Sequence, residues 1–199
     1  MFEGDHRRPR RLHRGFIVLA IVPVAIACLL VAPGVGALSL ERAEAACAYA
    51  DGQPREITRG QARDAVVCLI NNRRASRGKG RLDAQSGLRK AAGRHSRHMK
   101  RRSCFSHHCP GEKDLAGRVS ATSYLPCNCS WGVGENIAWG KRGRGTPSQT
   151  VESWMNSPGH RRNILDGSFQ HIGVGVTWGT PSSSGAKAAV YTTTFGYKR

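Results

Sequence analysis

The chain reads Gly134-Glu135-Asn136-Ile137-Ala138-Trp139 at one point and Ser157-Pro158-Gly159-His160-Arg161-Arg162-Asn163-Ile164-Leu165 shortly afterwards. A third short stretch, Phe105-Ser106-His107, lies upstream. Each stretch places a side chain that can bind a metal or transfer a proton beside turn-forming glycines or apolar anchors. The three side chains are those of His107, Glu135 and His160. Their placement predicts one shared pocket rather than three unrelated surface features.

The first 45 residues have the pattern of a signal peptide. An arginine-rich start precedes the apolar run Phe16–Ala32, and Ala43-Glu44-Ala45 offers a small-x-small cleavage site. A retained membrane anchor over residues 16–40 is the competing interpretation, because that stretch is uncharged and long enough to span a bilayer. Both interpretations predict export, either as a secreted protein or with the domain held outside the membrane.

The remaining residues of the 199-residue chain suit one domain. We expect residues 46–63 to be a lead-in that contains the start of the first helix, and residues 64–199 to form the domain itself.

Six cysteines follow the N-terminal segment, and an even number in an exported domain indicates disulfide bonds. They are Cys47, Cys68, Cys104, Cys109, Cys127 and Cys129. We predict that Cys47 pairs with Cys68, and that the other four join the His107 loop to the segment before Gly134. Fifteen pairings are possible, and a zinc site built from these thiols is a rival hypothesis.

The chain is strongly basic, with 31 Lys and Arg against 13 Asp and Glu, and its net charge is +18. Such a charge favours anionic partners, namely phospholipid headgroups or cell-wall polyanions, although it also serves solubility. The arginines are scattered and form no nucleic-acid motif, so no specific nucleic-acid partner is expected. We expect a monomer.

The order of predicted elements indicates an α+β fold, with helices first and a hairpin last. A capping box at Thr58-Arg59-Gly60-Gln61 begins a helix that ends near Arg77-Gly78, and a second helix is predicted over residues 83–102. Residues 103–145 are rich in Gly, Cys, Pro and Ser and predict long loops. The remaining predictions are a helix from Thr146, a helical turn over 161–165 and strands around 172–176 and 189–195.

His95 and His98 lie one turn apart in the second predicted helix. This spacing permits a metal clamp, but a packed or solvated role is the more common one for such histidines.

The motifs, taken in order, resemble those of the CAP superfamily, which holds cysteine-rich secretory proteins, antigen 5 and pathogenesis-related protein 1. Besides the stretches quoted above, the resemblance rests on residues 69–74, 154–165, 172–176 and 194–196, and it is strongest to the bacterial secreted branch. It implies an α-β-α sandwich of the CAP type, with a cleft lined by two histidines and two acidic residues.

Carried onto this chain, the resemblance makes His107 and His160 the cleft histidines and Glu135 the first acid. Ser157 occupies the place of the second acid, and Glu152, which precedes Trp154, is expected to point elsewhere. His108 replaces His107 if the loop register differs by one residue. His107, Glu135 and His160 are therefore the candidate catalytic residues and the candidate ligands of Zn²⁺ or another divalent cation.

Two functions follow from this set. The first is a secreted binding module for a lipid or cell-envelope ligand, with or without a divalent metal. The second is a metal-dependent extracellular hydrolase that uses His107, Glu135 and His160.

Overall fold

The computed structural model describes residues 46–125, 127–182 and 187–199. The predicted signal peptide or anchor lies outside these residues. Among the helices that are described, none combines the length and apolarity needed to span a bilayer.

Five α-helices, four strands and one 3₁₀ turn are present in the described parts of the chain. They are α1 (Arg59–Ala75), β1 (Asp83–Ala84), α2 (Ser86–Arg101), α3 (Leu115–Ser120), β2 (Trp131–Lys141), the 3₁₀ turn Arg142–Gly145, α4 (Pro147–Asn156), α5 (Pro158–Leu165), β3 (His171–Trp178) and β4 (Ala188–Lys198).

The capping box predicted for the first helix is confirmed. The Thr58 hydroxyl accepts a hydrogen bond from the Gln61 backbone N–H at 3.1 Å, and the Thr58 N–H donates to Gln61 Oε1 at 2.8 Å. The two bonds satisfy backbone groups that a helix start leaves without partners.

The four strands form one sheet in the order β1-β3-β4-β2. Strand β4 pairs antiparallel with β3 on one side and with the whole length of β2 on the other, whereas β1 pairs parallel with β3. Both predicted strands near the C-terminus are confirmed, and part of their connection, residues 183–186, lies outside the described residues. Strand β2 is therefore outermost at one edge of the sheet.

Helices cover both faces of the sheet, and alternate residues of β3 pack against the helices on opposite faces. Ile172, Val174 and Val176 enter the main core with α1, α4 and α5. Gly173 and Gly175 face the other way, and a Cβ atom at either position would overlap the backbone of α2. The predicted α+β class and its α-β-α layering are thus confirmed.

Buried Arg74 fixes the end of α5. Its guanidinium donates to the carbonyls of Gly80, Ile164 and Asp166 at 2.7–2.8 Å. The bonds to Ile164 and Asp166 satisfy carbonyl groups at the C-terminus of α5, where a cation is also favoured by the helix dipole. The position of α5 matters because α5 carries His160.

Three predicted boundaries are wrong. Residues 83 and 84 form β1 rather than the start of α2, because they pair with His171 and Ile172 of β3. Residues 103–145 are not all loop, since they contain α3 and the eleven-residue strand β2. Helix α5 begins at Pro158 rather than at Arg161, consistent with the preference for proline in the first turn of a helix.

The cysteines pair as three disulfides. The predicted bond between Cys47 and Cys68 is confirmed. The other two bonds are local, Cys104–Cys109 and Cys127–Cys129, so the predicted cross-link between the His107 loop and the segment before Gly134 is wrong. Each of these four cysteines instead pairs with another that is at most five residues away. Because all six cysteines form disulfides, none is a free thiol for the rival zinc site.

Candidate functional site

The site is built on β2, where Glu135 and Asn136 follow one another. Successive side chains of a strand point to opposite faces of the sheet. Glu135 contacts residues of α2, α3 and the loop between them, while Asn136 contacts α5 on the other face. Two consecutive residues of β2 therefore contact the elements on both faces of the sheet that contribute to the site.

Glu135 is buried, and both of its carboxylate oxygens are engaged. Oε1 lies 2.9 Å from Nδ1 of His107, and Oε2 accepts a hydrogen bond from Nη2 of Arg118 at 2.7 Å. A buried carboxylate is tolerated when it is paired and hydrogen-bonded in this way. The arrangement fixes the His107 ring through one nitrogen and leaves Nε2 for another partner.

His107 lies in the loop that the Cys104–Cys109 disulfide closes. Its side chain is 55% exposed, although its ring is anchored on buried Glu135. Its backbone carbonyl accepts a hydrogen bond from Nη1 of Arg118 at 3.0 Å. Arg118 therefore positions both members of the His107–Glu135 pair.

On the opposite face, two asparagines attach α5 to β2. Asn136 Nδ2 donates to the carbonyl of His160 at 3.1 Å. Asn163 Nδ2 lies 3.1 Å from the Glu135 carbonyl and 2.9 Å from Asn136 Oδ1, and it donates to both. These bonds fix the backbone of His160 relative to Glu135.

The half-buried ring of His160 is electrostatically coupled to His107. Burial lowers the pKa of His160 below its usual value, and the nearby charge of His107 lowers it further. A lowered pKa keeps the imidazole of His160 neutral near pH 7, which is the form that accepts a proton or binds a metal.

Ser157, predicted to line the cleft, occupies the junction between α4 and α5 as the N-cap of α5, without a side-chain capping bond. Glu152 points away, as expected, and pairs with Arg73 of α1 at 3.2 Å on the surface. His108, the alternative to His107, places its Nε2 3.0 Å from the backbone carbonyl of Glu112 instead.

Sequence reasoning missed a second tier behind Glu135, made of buried His95 and Arg118 and partly buried Glu112. Nδ1 of His95 lies 2.7 Å from Oε2 of Glu112, and its Nε2 lies 3.7 Å from Oε1 of Glu135. Arg118 approaches Glu112 at 3.7 Å. Burial is the main cause of the lowered pKa of His95, although the charge of Glu135 acts in the opposite sense.

One sequence signal for this tier was present. His95 shares a helical stripe with Leu88, Ala91, Ala92 and Met99, all of which are buried. A histidine on an apolar face requires a buried polar partner. The sequence does not say which residue that partner is. The packed role considered for His95 in the sequence is confirmed, because its side chain is buried. His98 instead places its Nε2 3.1 Å from the carbonyl of Pro110.

No group of three or more His, Cys, Asp or Glu side chains is arranged to hold a metal ion within the described parts of the chain. The engaged oxygens of Glu135 agree with this finding. Of the three predicted ligands, His107 and His160 keep ring nitrogens that are not engaged in this way.

Comparisons with known proteins identify the family. A model of the cysteine-rich secretory protein family, CAP, matches residues 67–195, and the chain belongs to this family. The resemblance inferred from the motifs is confirmed.

Two proteins of Bacillus subtilis (strain 168) are similar in sequence. The uncharacterized protein YkwD is 39% identical over 112 residues, which are 55% of this chain and 40% of YkwD. The uncharacterized membrane protein YlbC is 31% identical over 111 residues, which are 56% of this chain and 30% of YlbC. The match therefore spans less than half of each curated relative.

Solved structures show the same fold. An extracellular protein containing an SCP domain from Bacillus anthracis aligns with a TM-score of 0.55 and 25% identity, over 70% of this chain and 43% of that protein. An outer surface protein from Borrelia burgdorferi aligns with a TM-score of 0.55 and 16% identity, over 67% of this chain and 90% of that protein.

Proposed function

We propose that this protein is an extracellular binding module whose cleft holds a divalent cation, Zn²⁺ in the first instance, between His107 and His160. The observation that carries the proposal is the 2.9 Å contact between Nδ1 of His107 and Oε1 of Glu135. Histidines that bind metals commonly donate their second ring N–H to a carboxylate, which fixes the tautomer and raises the basicity of the other nitrogen.

Glu135 serves in this proposal as the group that orients His107, because Arg118 and His107 already occupy its two oxygens. Two imidazoles leave coordination positions open for water or for an oxygen of a ligand. When bound, the cation supplies a Lewis acid that attracts such oxygens. Arg161 and Arg162 are exposed directly after His160 and add positive charge. These features suit an anionic group of a lipid or of a cell-wall polymer.

The test is a calorimetric titration of the metal-depleted protein with ZnCl₂. We expect His107→Ala and His160→Ala each to weaken binding by at least about tenfold, equivalent to about 1.4 kcal/mol. His108→Ala is the matched control, since His108 is the neighbouring loop histidine without contact to Glu135, and its affinity should stay within about twofold. Absence of zinc binding by the unaltered protein would refute the metal part of the proposal.

A metal-dependent hydrolase is the second candidate, because a histidine oriented by a carboxylate is also the arrangement of a general base. The same variants separate the two functions. A hydrolase loses turnover on ester or phosphoester probes in His107→Ala and His160→Ala. A binding module shows no metal-dependent turnover in any variant.

A further inference from the structure

The edge of the sheet opposite the cleft is formed by β3 beyond the short strand β1. Only two residues of β1 pair with β3, opposite His171 and Ile172. Within the described residues, no strand pairs with β3 on that side beyond Ile172. A groove of about 340 Å³ follows this edge, with residues of α1 and α2 on its sides.

The backbone of β3 presents hydrogen-bonding groups to this groove. The carbonyl of Ile172 accepts from the Gln85 N–H at 2.8 Å, so the peptide groups of Ile172 point outward from the sheet. Because backbone direction alternates along a strand, those of Val174 and Val176 point to the same side. The N–H groups of these two valines are therefore donors at the floor of the groove, and their carbonyl groups are acceptors there.

Positive side chains line the walls. Helix α1 contributes Arg63, and α2 contributes Arg89, Lys90, Arg94 and Arg97. Arg89 and Arg97 lie two turns apart on one face of α2, and the guanidinium of Arg97 reaches back over Gly93 between them. A contiguous part of the groove contains one carboxylate, that of Asp64.

Within the described residues, none of these cations has a carboxylate at ion-pair distance, although Asp64 adjoins Arg63 in the chain. Among the residues that the structure describes, the side chains of Arg63, Arg89, Lys90 and Arg97 form no hydrogen bond or ion pair. Arg94 donates to the carbonyl of Ala121 at 3.1 Å. Burial lowers the pKa of Arg63, and the charge of Arg89 lowers it further, while the charge of Asp64 acts in the opposite sense. Arg63 is partly buried, whereas Arg89, Lys90, Arg94 and Arg97 are exposed. Like charges gathered in this way repel one another, and a bound anion relieves that repulsion.

We infer that this groove binds an extended, phosphate-bearing polymer chain. Guanidinium groups and strand N–H groups are the donors that phosphate oxygens prefer. Arg89 and Arg97 are separated by about 12 Å along the axis of α2, which is long enough for more than one phosphate group. The concave shape suits a thread-like chain better than the flat surface of a membrane. The inference is independent of the function proposed for the histidine cleft.

The experiment measures binding of sodium tripolyphosphate to the full chain by calorimetry, at constant ionic strength. We expect the double variant Arg63→Gln/Arg97→Gln to weaken binding by at least about tenfold. The control Arg77→Gln/Arg101→Gln removes the same charge from exposed arginines outside the groove, and its affinity should stay within about twofold. Equal weakening in both double variants would show attraction by net charge alone and would overturn the inference.

A third variant leaves every arginine in place. In Gly93→Glu a carboxylate enters the groove beside Arg97, whose Nη1 would lie 3.4 Å from the new Cβ. We expect binding of tripolyphosphate to fall by at least about tenfold while helix α2 is retained. Full binding by this variant contradicts the inference.

Two further arms identify the source of the phosphate. Vesicles of phosphatidylglycerol replace tripolyphosphate in the first arm. Binding to the vesicles but not to tripolyphosphate would overturn the inference of a polymer ligand and would indicate a membrane surface instead. The second arm uses His107→Ala, which should bind tripolyphosphate normally. Loss of binding in that variant would show that tripolyphosphate binds in the histidine cleft, and it would overturn the inference of a separate site in the groove.

Discussion

Arg118 sets the charge balance of the buried site. Its side chain is 4% exposed, and it lies 2.7 Å from Glu135 and 3.7 Å from Glu112. It also donates to the carbonyls of His107 and Lys113, so one guanidinium joins the loop, the acid and α3. An arginine suits this task because its donors are arranged in a fixed planar fork.

Replacing Arg118 by methionine is expected to destabilise the protein by about 3–5 kcal/mol, because it removes the cation that pairs with the buried carboxylate of Glu135. Urea unfolding measures the loss. Adding Glu135→Gln to the variant should recover part of the stability, since the unpaired charge of Glu135 is removed. Additive losses from the two substitutions would mean that Arg118 and Glu135 do not act as a pair.

At the same scale, sequence reasoning identifies the residues that line the cleft and misses those that lie behind Glu135. His107 and Glu135 are predicted to share a pocket, and the structure places them in contact. Glu112 and Arg118 lie in a segment without helical or strand periodicity, so no pattern links them to His95. Contacts between side chains that are distant in sequence depend on the tertiary fold, which local spacing does not encode.

At the scale of elements, the packing of α2 on β3 depends on the absence of side chains at Gly173 and Gly175. A Cβ at Gly175 would overlap the carbonyl group of Ala92 and the nitrogen of Gly93. Because backbone atoms cannot rotate away as a side chain can, α2 would have to move off the sheet. The close approach is thus a requirement of the three-layer architecture.

Gly175→Ala is therefore expected to cost about 1–3 kcal/mol or more, the range for overpacking a tight interface. Gly143→Ala is the control, because a Cβ at Gly143 meets no atom within 4 Å. Thermal unfolding of the two variants measures the difference. Equal midpoints would contradict the packing argument.

Strand β2 lies where the sequence predicts a long loop, and its glycines explain the error. Its glycines at 132, 134 and 140 are typical of loops and lower the strand propensity of the segment. In the fold they admit neighbouring groups instead, such as the rings of Tyr197 and Phe169 and the backbone of Arg144. Pairing of all eleven residues with β4 outweighs the weak local preference. Helix α1 is predicted correctly because its capping box is a local signal.

For the whole molecule, three buried or half-buried histidines make stability depend on pH. The pKa values of His95, His160 and His171 are lowered in the folded state, and burial is the first cause for each. Unfolded histidines titrate near pH 6.5. Below that pH the unfolded chain binds protons that the folded chain excludes, so the free energy of unfolding falls on acidification.

We therefore expect a constant unfolding midpoint above about pH 7.5 and a decline as the pH falls below about 6.5, before ordinary carboxyl groups titrate. Urea unfolding at closely spaced pH values between 5 and 8 checks this. A rise in stability over the same range would contradict it. The decline should become shallower in His171→Gln, which removes one of the three groups.

The two asparagine bridges have a consequence for the molecule as a whole. They fasten α5 to one face of β2, while Glu135 draws the His107 loop to the other face. The two imidazoles are thus carried by elements on opposite sides of the sheet, and a cation bound by both would cross-link those elements. Such an ion binds the folded chain and not the unfolded one, so it would stabilise the folded state. Each time those elements came apart, the ion would have to be released first.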